Sequence, residues 1–137
     1  MAQVLDASVA VAWCAPSQAT SLTRAALVGV IADGALVPAS FWYEVFHGLS
    51  RLKHRGIVEK DDIDRFIASV LDLDLSVDPA RDATEMVELC VLSQRLSLNI
   101  YDTGYLELAL RSGLPLATGD RALESAARKM GVAVFGT

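Results

Sequence analysis

The sequence has little of what an extracellular or membrane-bound protein requires. Its 137 residues include two cysteines, Cys14 and Cys90, each inside an apolar run. Their separation excludes a zinc knuckle or a CxxC redox pair, so we expect two buried or half-buried thiols in a reducing compartment. No apolar stretch of about 18 residues is free of charge, which excludes a membrane-spanning helix. The N-terminal residues carry Asp6 and no basic segment, so we predict no signal peptide and a soluble, cytoplasmic protein.

An excess of basic charge is also lacking. Asp and Glu outnumber Lys and Arg by 17 to 12, which gives a net charge of −5. Bulk electrostatics therefore disfavours nonspecific binding to nucleic acid, unless a divalent cation held by the acids meets the phosphate. One basic cluster, Arg51, Lys53, His54 and Arg55, follows a predicted helix. It either contacts a phosphate backbone or complements the dipole at the C-terminus of its own helix.

What is present indicates a globular α/β protein. Apolar residues make up 53% of the chain and charged residues 21%, and the length suits a single domain over residues 1–137. No internal repeat or linker-like stretch occurs. Short apolar runs alternate with helical patterns, which predicts a three-layer α/β/α sandwich around a central, mainly parallel sheet of about five strands. The predicted strands are residues 4–5 together with those just before residue 4, then 35–37, 73–77, 114–118 and 132–135. The predicted helices are 17–32, 39–54, one that starts at residue 59, one from Pro79 to about residue 97, 101–111 and 120–130.

Four acids fall where this arrangement binds ligands. Asp6 follows the first predicted strand and Asp120 the fourth, while Glu44 and Asp102 lie in the first turns of helices. Ligands of open α/β sheets bind outside the carboxyl ends of the strands. We therefore predict that the four side chains reach one end of the sheet.

Each of these acids also has a structural interpretation. Asp6 and Asp120 would serve as helix N-caps, a marginal helical Glu44 is usually solvated, and Asp102 would form a capping box with Asn99. Asp102 is the hardest to explain in this way. It lies near the middle of an apolar arc formed by Tyr105, Leu106, Ala109 and Leu110 and would face the core, where an uncompensated charge is costly.

The four acids together predict a particular chemistry. Carboxylates that lie close together either take up protons or hold a cation. Ligand sets made only of oxygen favour Mg²⁺ or Mn²⁺ over zinc, and these ions promote phosphodiester hydrolysis. Ser8 and Thr118 each lie two residues from a key aspartate, where their hydroxyls would orient a carboxylate or water. His47 and His54 lack metal-ligand spacing with a second His or Cys.

Four blocks of the chain carry a family likeness. They are VLDASV at 4–9, Pro38 with Glu44-Val45, YDTGYLELA at 101–109 and LATGDRAL at 116–123. In this order, over nearly the whole chain, they resemble the PIN-domain pattern of VapC toxins. The resemblance implies a PIN-like fold and a Mg²⁺- or Mn²⁺-dependent endoribonuclease. Asp6, Glu44, Asp102 and Asp120 would be both its catalytic and its metal-binding residues, with Ser8, where many relatives have Asn, and Thr118 as accessories.

The resemblance also implies partners. It predicts a homodimer, a VapB-type antitoxin that blocks the site, RNA as substrate, and operator DNA bound only through the antitoxin. We expect single-stranded or loop RNA, without a predicted cleavage sequence. Two alternatives stay open: a non-catalytic PIN-like module that binds metal or RNA, and an orphan RNA-processing nuclease. A phosphate-accepting receiver domain does not fit, because Asp6 stands alone after the first strand and the only lysines are Lys53, Lys60 and Lys129.

Overall fold

Four short parallel strands form the centre of the computed structural model, which describes residues 2–136. They are β1 (Val4–Leu5), β2 (Ala35–Val37), β3 (Leu75–Val77) and β4 (Leu116–Ala117), in the spatial order β3-β2-β1-β4. Val4 pairs with Leu36 on one side and with Leu116 on the other. The chain thus builds outward from β1 through β2 to β3 and then returns to place β4 on the opposite side. The boundary between β1 and β4 is the switch point where such sheets bind ligands.

Seven α-helices flank the sheet within the described part of the chain. They are α1 (Ala7–Ala12), α2 (Ser21–Asp33), α3 (Phe41–His54), α4 (Lys60–Val70), α5 (Ala83–Leu96), α6 (Ile100–Ser112) and α7 (Arg121–Lys129). Helix α1 packs on α2 and α3, while α6 packs on α5, α7, β1 and β4. None of the helices found in residues 2–136 is both long enough and apolar enough to cross a membrane.

The core explains this arrangement. Val4 and Leu5 of β1 are completely buried, as expected for a parallel strand covered on both faces. Helix α3 buries Phe41, Val45 and Leu49 at helical spacing, as expected for a helix with one face packed on the core. The predicted α/β class, with a parallel sheet between helices, is confirmed.

The predicted fifth strand is wrong. Of residues 132–135, only Val134 forms a bridge, to Leu116 of β4. Phe135 then donates a backbone hydrogen bond to the carbonyl of Leu116, and Gly136 has a positive φ of 84°. The chain therefore turns away after one paired residue and leaves a four-stranded sheet.

Two helix starts also differ from the prediction. The predicted helix 17–32 begins only at Ser21, because Thr20 and Thr23 form a capping box there and Pro16–Gln18 form a separate 3₁₀ turn. The helix predicted from Pro79 begins at Ala83, where Asp82 accepts a hydrogen bond from the Glu85 amide. In both cases a local side-chain cap sets the start.

Helix α1 was not predicted at all. Its six residues are apolar except for Ser8, so they show neither the alternation of a strand nor the periodicity of an amphipathic helix. Four of the six are buried, and packing rather than amphipathic pattern holds the helix in place. This short helix matters because it starts directly at Asp6.

Candidate active site

Asp6 occupies the junction between β1 and α1. Its side chain caps α1 by accepting from the Ser8 amide, and it is only 5% exposed. The Ser8 hydroxyl donates to Asp6 Oδ2 over 2.8 Å, and the Thr118 hydroxyl donates to the same oxygen over 2.7 Å. The N-cap interpretation is therefore correct, but it accounts for only part of the carboxylate. Oδ1 accepts one long bond of 3.4 Å from the Ser8 amide and retains capacity for another partner.

The end of β4 is tied to Asp6 through Thr118. This threonine is buried, and its Oγ1 accepts from the Asp120 amide over 3.0 Å while it donates to Asp6. Asp120 in turn caps α7 by accepting from the Leu123 amide over 2.9 Å. The two strand ends on either side of the switch point are thus joined by one chain of hydrogen bonds, with Thr118 at its centre.

Glu44 reaches the same place from α3. The Ser40 hydroxyl donates to its Oε1 over 2.8 Å, and the phenol of Tyr105 is hydrogen-bonded to it as well. Burial raises the pKa of this carboxyl, and the charges of Asp6 and Asp102 raise it further, against the two hydroxyl donors. A glutamate that is partly buried beside two other acids is not the freely solvated residue that its marginal helix position suggested.

Asp102 lies in the first turn of α6, whose N-cap is Asn99. The Asn99 side chain accepts from the Asp102 amide over 2.8 Å and donates to its carboxylate over 3.1 Å. The prediction that Asp102 faces the core is wrong: it is half-buried, and Leu110 of the same predicted arc is 39% exposed. At Asp102 this face of α6 borders an open cleft. One turn later, at Tyr105, the same face is buried. Burial, followed by the charges of Asp120 and Asp6, raises its pKa to about 6.

All four acids line one cleft of about 1040 Å³. They come from four separate segments, the ends of β1 and β4 and the first turns of α3 and α6. Burial raises the pKa of Asp6, which the charge of Asp120 raises further against its three hydrogen bonds. The predicted convergence at one end of the sheet is therefore present in the structure, and the carboxylates are near enough to disfavour one another's charge.

The donor chemistry of the cleft suits a hydrated divalent cation. Within residues 2–136, no three His, Cys, Asp or Glu side chains are arranged to hold a metal ion between them. Mg²⁺ rarely needs such a cage, since it commonly takes one or two carboxylates and keeps several waters. The pKa values of three of the carboxyls, those of Asp6, Glu44 and Asp102, are raised, so a positive charge among them would be favourable. The residues thus fit an oxygen-coordinated ion that retains part of its water shell.

Tyr105 and Gly48 support the cleft and were not identified from the sequence as site residues. The phenol of Tyr105, which is completely buried, accepts from the Ala7 amide over 3.3 Å and is hydrogen-bonded to Glu44. A Cβ at Gly48 would lie 2.8 Å from Val11 Cγ2, so glycine allows α1 and α3 to approach closely. Together they fix the N-terminus of α1, with Asp6, relative to Glu44. The signal for Tyr105 was a polar atom on an otherwise apolar helix face.

We expect Tyr105→Phe to destabilise the protein by about 1–2 kcal/mol, because the buried Ala7 amide loses its partner. Urea unfolding followed by circular dichroism measures the change, with Tyr43→Phe as the matched control. Tyr43 is 83% exposed, so its hydroxyl contributes little to the fold. Equal stability of the two variants would show that the Tyr105 phenol does not hold the N-terminus of α1.

The comparisons with known proteins agree with the fold described above. A family model described as the PIN domain matches residues 4–129. The crystal structure of PAE2754 from Pyrobaculum aerophilum aligns with a TM-score of 0.69, covering 92% of this chain and 86% of that one at 21% sequence identity. At this identity the likeness shows the fold alone. No curated protein matches the sequence.

Proposed function

The chain belongs to the PIN domain family, whose members are generally nucleases, and from this premise we propose that it is a Mg²⁺- or Mn²⁺-dependent endoribonuclease. The observation that carries the proposal is the convergence of Asp6, Glu44, Asp102 and Asp120 on one cleft at the switch point of the sheet. Helix caps alone do not explain this convergence, since a cap needs only its own helix.

Some residues of the chain would hold the ion, and others orient the carboxylates that hold it. A divalent ion held in this cleft by one or two of the carboxylates and by water would supply positive charge to the RNA phosphate and lower the pKa of a bound water. The hydroxyls of Ser8 and Thr118 occupy one oxygen of Asp6 and leave the other with a single long hydrogen bond. Ser40 and Tyr105 fix Glu44, and Asn99 fixes Asp102. Such orienting partners keep ligands in place before substrate arrives.

Total RNA from the source cells, incubated with purified protein, tests the proposal without a guess at the substrate. Discrete fragments with Mg²⁺ or Mn²⁺, and none with EDTA, are expected. If protein that binds the ion leaves every RNA intact, the proposal is wrong and the non-catalytic binding module becomes the better description.

We also propose that this nuclease acts as the toxin of a VapBC pair. The four sequence blocks and their spacing support this role. A second groove of about 430 Å³, lined by apolar residues of α2 and α4 such as Leu27, Ile31, Phe66 and Val70, offers a surface for an apolar segment of a VapB-type antitoxin. Operator DNA would be bound only through that antitoxin.

Growth separates the toxin from an orphan RNA-processing nuclease. Induced expression of a toxin should arrest growth, and co-expression of the protein encoded next to it should restore growth. Expression of a processing nuclease should not arrest growth, and co-expression of the neighbouring protein should then make no difference. Purification of the two proteins as one complex would identify the antitoxin directly.

A homodimer is the third element of the proposal. Helix α5 buries only Leu89 and turns an apolar stripe outward, with Met86 40%, Val87 64% and Val91 51% exposed. Cys90 lies on the same stripe and is exposed, which corrects the prediction that it is buried or half-buried. An exposed apolar stripe on a helix is typical of a surface that another chain covers, and a two-fold contact would place the same stripe on both subunits.

We expect Val91→Glu to convert the dimer to a monomer, because two glutamates would face each other across an apolar contact. Light scattering coupled to size-exclusion chromatography gives the mass. Val28→Glu is the matched control, since Val28 is 66% exposed on α2, away from the stripe. Mild oxidation should also join two wild-type chains through Cys90. A wild-type monomer, or a dimer that tolerates Val91→Glu and resists oxidative linkage, would contradict the α5 interface.

A further inference from the structure

The cleft extends well beyond its carboxylates along helix α3. Glu44, His47, Gly48 and Arg51 lie on one face of the helix at positions i, i+3, i+4 and i+7, and all four line the cleft. At a rise of about 1.5 Å per residue, Arg51 lies about 10 Å along the helix axis from Glu44. This distance spans about three nucleotides at the stacked spacing of ~3.4 Å per strand, and fewer in an extended strand.

The end of this face that is farthest from the carboxylates carries a positive charge. Arg51 is the one arginine or lysine among the described residues that line the cleft, and within residues 2–136 no carboxylate pairs with it. The basic cluster of the sequence is therefore divided by the fold. Lys53, His54 and Arg55 are exposed but do not line the cleft. An unpaired guanidinium inside an otherwise acidic cleft is well suited to bind a phosphate.

Aromatic side chains border the carboxylates. Tyr43 precedes Glu44 and Tyr101 precedes Asp102, and both line the cleft while 83% and 55% exposed, respectively. Neither ring is needed for the core at that exposure. Exposed aromatic faces beside a strand of phosphates are stacking platforms for unpaired bases.

We propose that the face of α3 from Glu44 to Arg51 is the track of a single RNA strand. The strand would place the cleaved phosphate at the carboxylates, a neighbouring phosphate on Arg51 and an unstacked base on Tyr43. Gly48, in the middle of this face, lets Val11 of α1 pack closely beside the track, because a Cβ there would lie 2.8 Å from Val11 Cγ2. Arg51 thereby sets how far from the cut the strand is held. This inference rests on the proposed nuclease function and adds to it the residues of α3 that would hold the strand.

Binding of a fluorescein-labelled, single-stranded RNA of mixed sequence, followed by anisotropy without divalent cation, tests the track independently of cleavage. Arg51→Gln should weaken binding by roughly fivefold to tenfold and reduce the slope of log affinity against log salt by about 0.7, the value for one lost phosphate contact on a single strand. Arg55→Gln, the same change outside the cleft, should bind like wild type. Tyr43→Leu should weaken binding to the single strand by about tenfold and leave binding to the matching duplex unchanged.

The outcomes separate the track from the nuclease itself. If wild-type protein cleaves RNA but Arg51→Gln binds like Arg55→Gln, the track is wrong and the nuclease stands. If Tyr43→Leu loses single strand and duplex alike, the stacking contact is wrong. If wild-type protein neither binds nor cleaves RNA, the nuclease proposal falls and the track falls with it.

Discussion

Replacement of Asp102 by asparagine is expected to reduce metal-dependent RNA cleavage by about a hundredfold or more, because loss of even an outer-shell partner of a metal site typically costs about 10-fold to 100-fold, while the fold is retained. The change keeps the size of the side chain and removes its charge. The new amide can still accept from Asn99, whose side chain now donates to the Asp102 carboxylate over 3.1 Å. The loss therefore falls on cation binding rather than on the cap of α6, and calorimetric titration with Mn²⁺ should show weaker binding.

Asp61→Asn is the matched control for this variant. Asp61 is an exposed acid in the first turn of α4 and does not line the cleft. The Asp61→Asn substitution removes the same charge from the same kind of residue, but outside the cleft. The cleavage rate of this variant should therefore equal that of wild type. Circular dichroism shows whether both variants are folded. Full cleavage by folded Asp102→Asn would place Asp102 outside the reaction and leave its contact with Asn99 as its role.

The sequence predicted the carboxylates better than the elements that orient them. Asp6 and Asp120 could be placed because the segment between a parallel strand and the next helix lies at the sheet's ligand-binding edge. Asp102 was correctly assigned to the first turn of its helix, but its burial was overestimated. The arc calculation assumes that a helix is covered along its whole length, whereas the first turn of α6 borders the open cleft.

The other features of the site could not be predicted, mainly because they depend on contacts between residues that are distant in sequence. The hydrogen bond between Thr118 and Asp6 joins residues 112 positions apart, and that between Tyr105 and Ala7 joins residues 98 apart. No local pattern encodes such pairs. The place of Arg51 in the cleft is similar, because a basic cluster at the end of a helix looks the same whether its members face a site or solvent. Helix α1 was missed because it has no polar face for a periodic pattern to reveal.

Without a divalent cation, the protein is expected to become less stable as the pH rises from about 4 to about 7. The pKa of Asp102 rises from 3.8 to about 6 on folding, so between these values the folded state binds more protons than the unfolded state. Stability falls with pH wherever the folded state binds more protons. The penalty is absent below about pH 3.8 and complete above about pH 6. Burial raises the pKa values of Asp6 and Glu44 in the same direction.

The size of the effect follows from the exposure of Asp102. A shift of about two pKa units corresponds to at most ~3 kcal/mol at ~1.36 kcal/mol per unit. Because the side chain is partly exposed, solvent screening reduces this to about 1 kcal/mol, or about 4 °C in melting temperature for a chain of this size. Thermal unfolding in EDTA at pH 4.5 and pH 7.5 measures it. A bound cation should offset the repulsion, so Mg²⁺ should raise the melting temperature mainly at the higher pH.

Two variants identify the group responsible. Asp102→Asn should reduce the dependence on pH in EDTA, leaving the part due to Asp6 and Glu44, and remove most of the stabilisation by Mg²⁺, because it lacks both the charge and the ligand. Asp61→Asn should retain both. This variant pair also relates stability to function, since the buried, mutually repelling charges that destabilise the cation-free cleft are the ones that would bind the ion. A wild-type protein whose stability rises over this pH range in EDTA would mean that the carboxylates are not coupled as the cleft geometry requires, and the proposed ion site would lose its electrostatic basis.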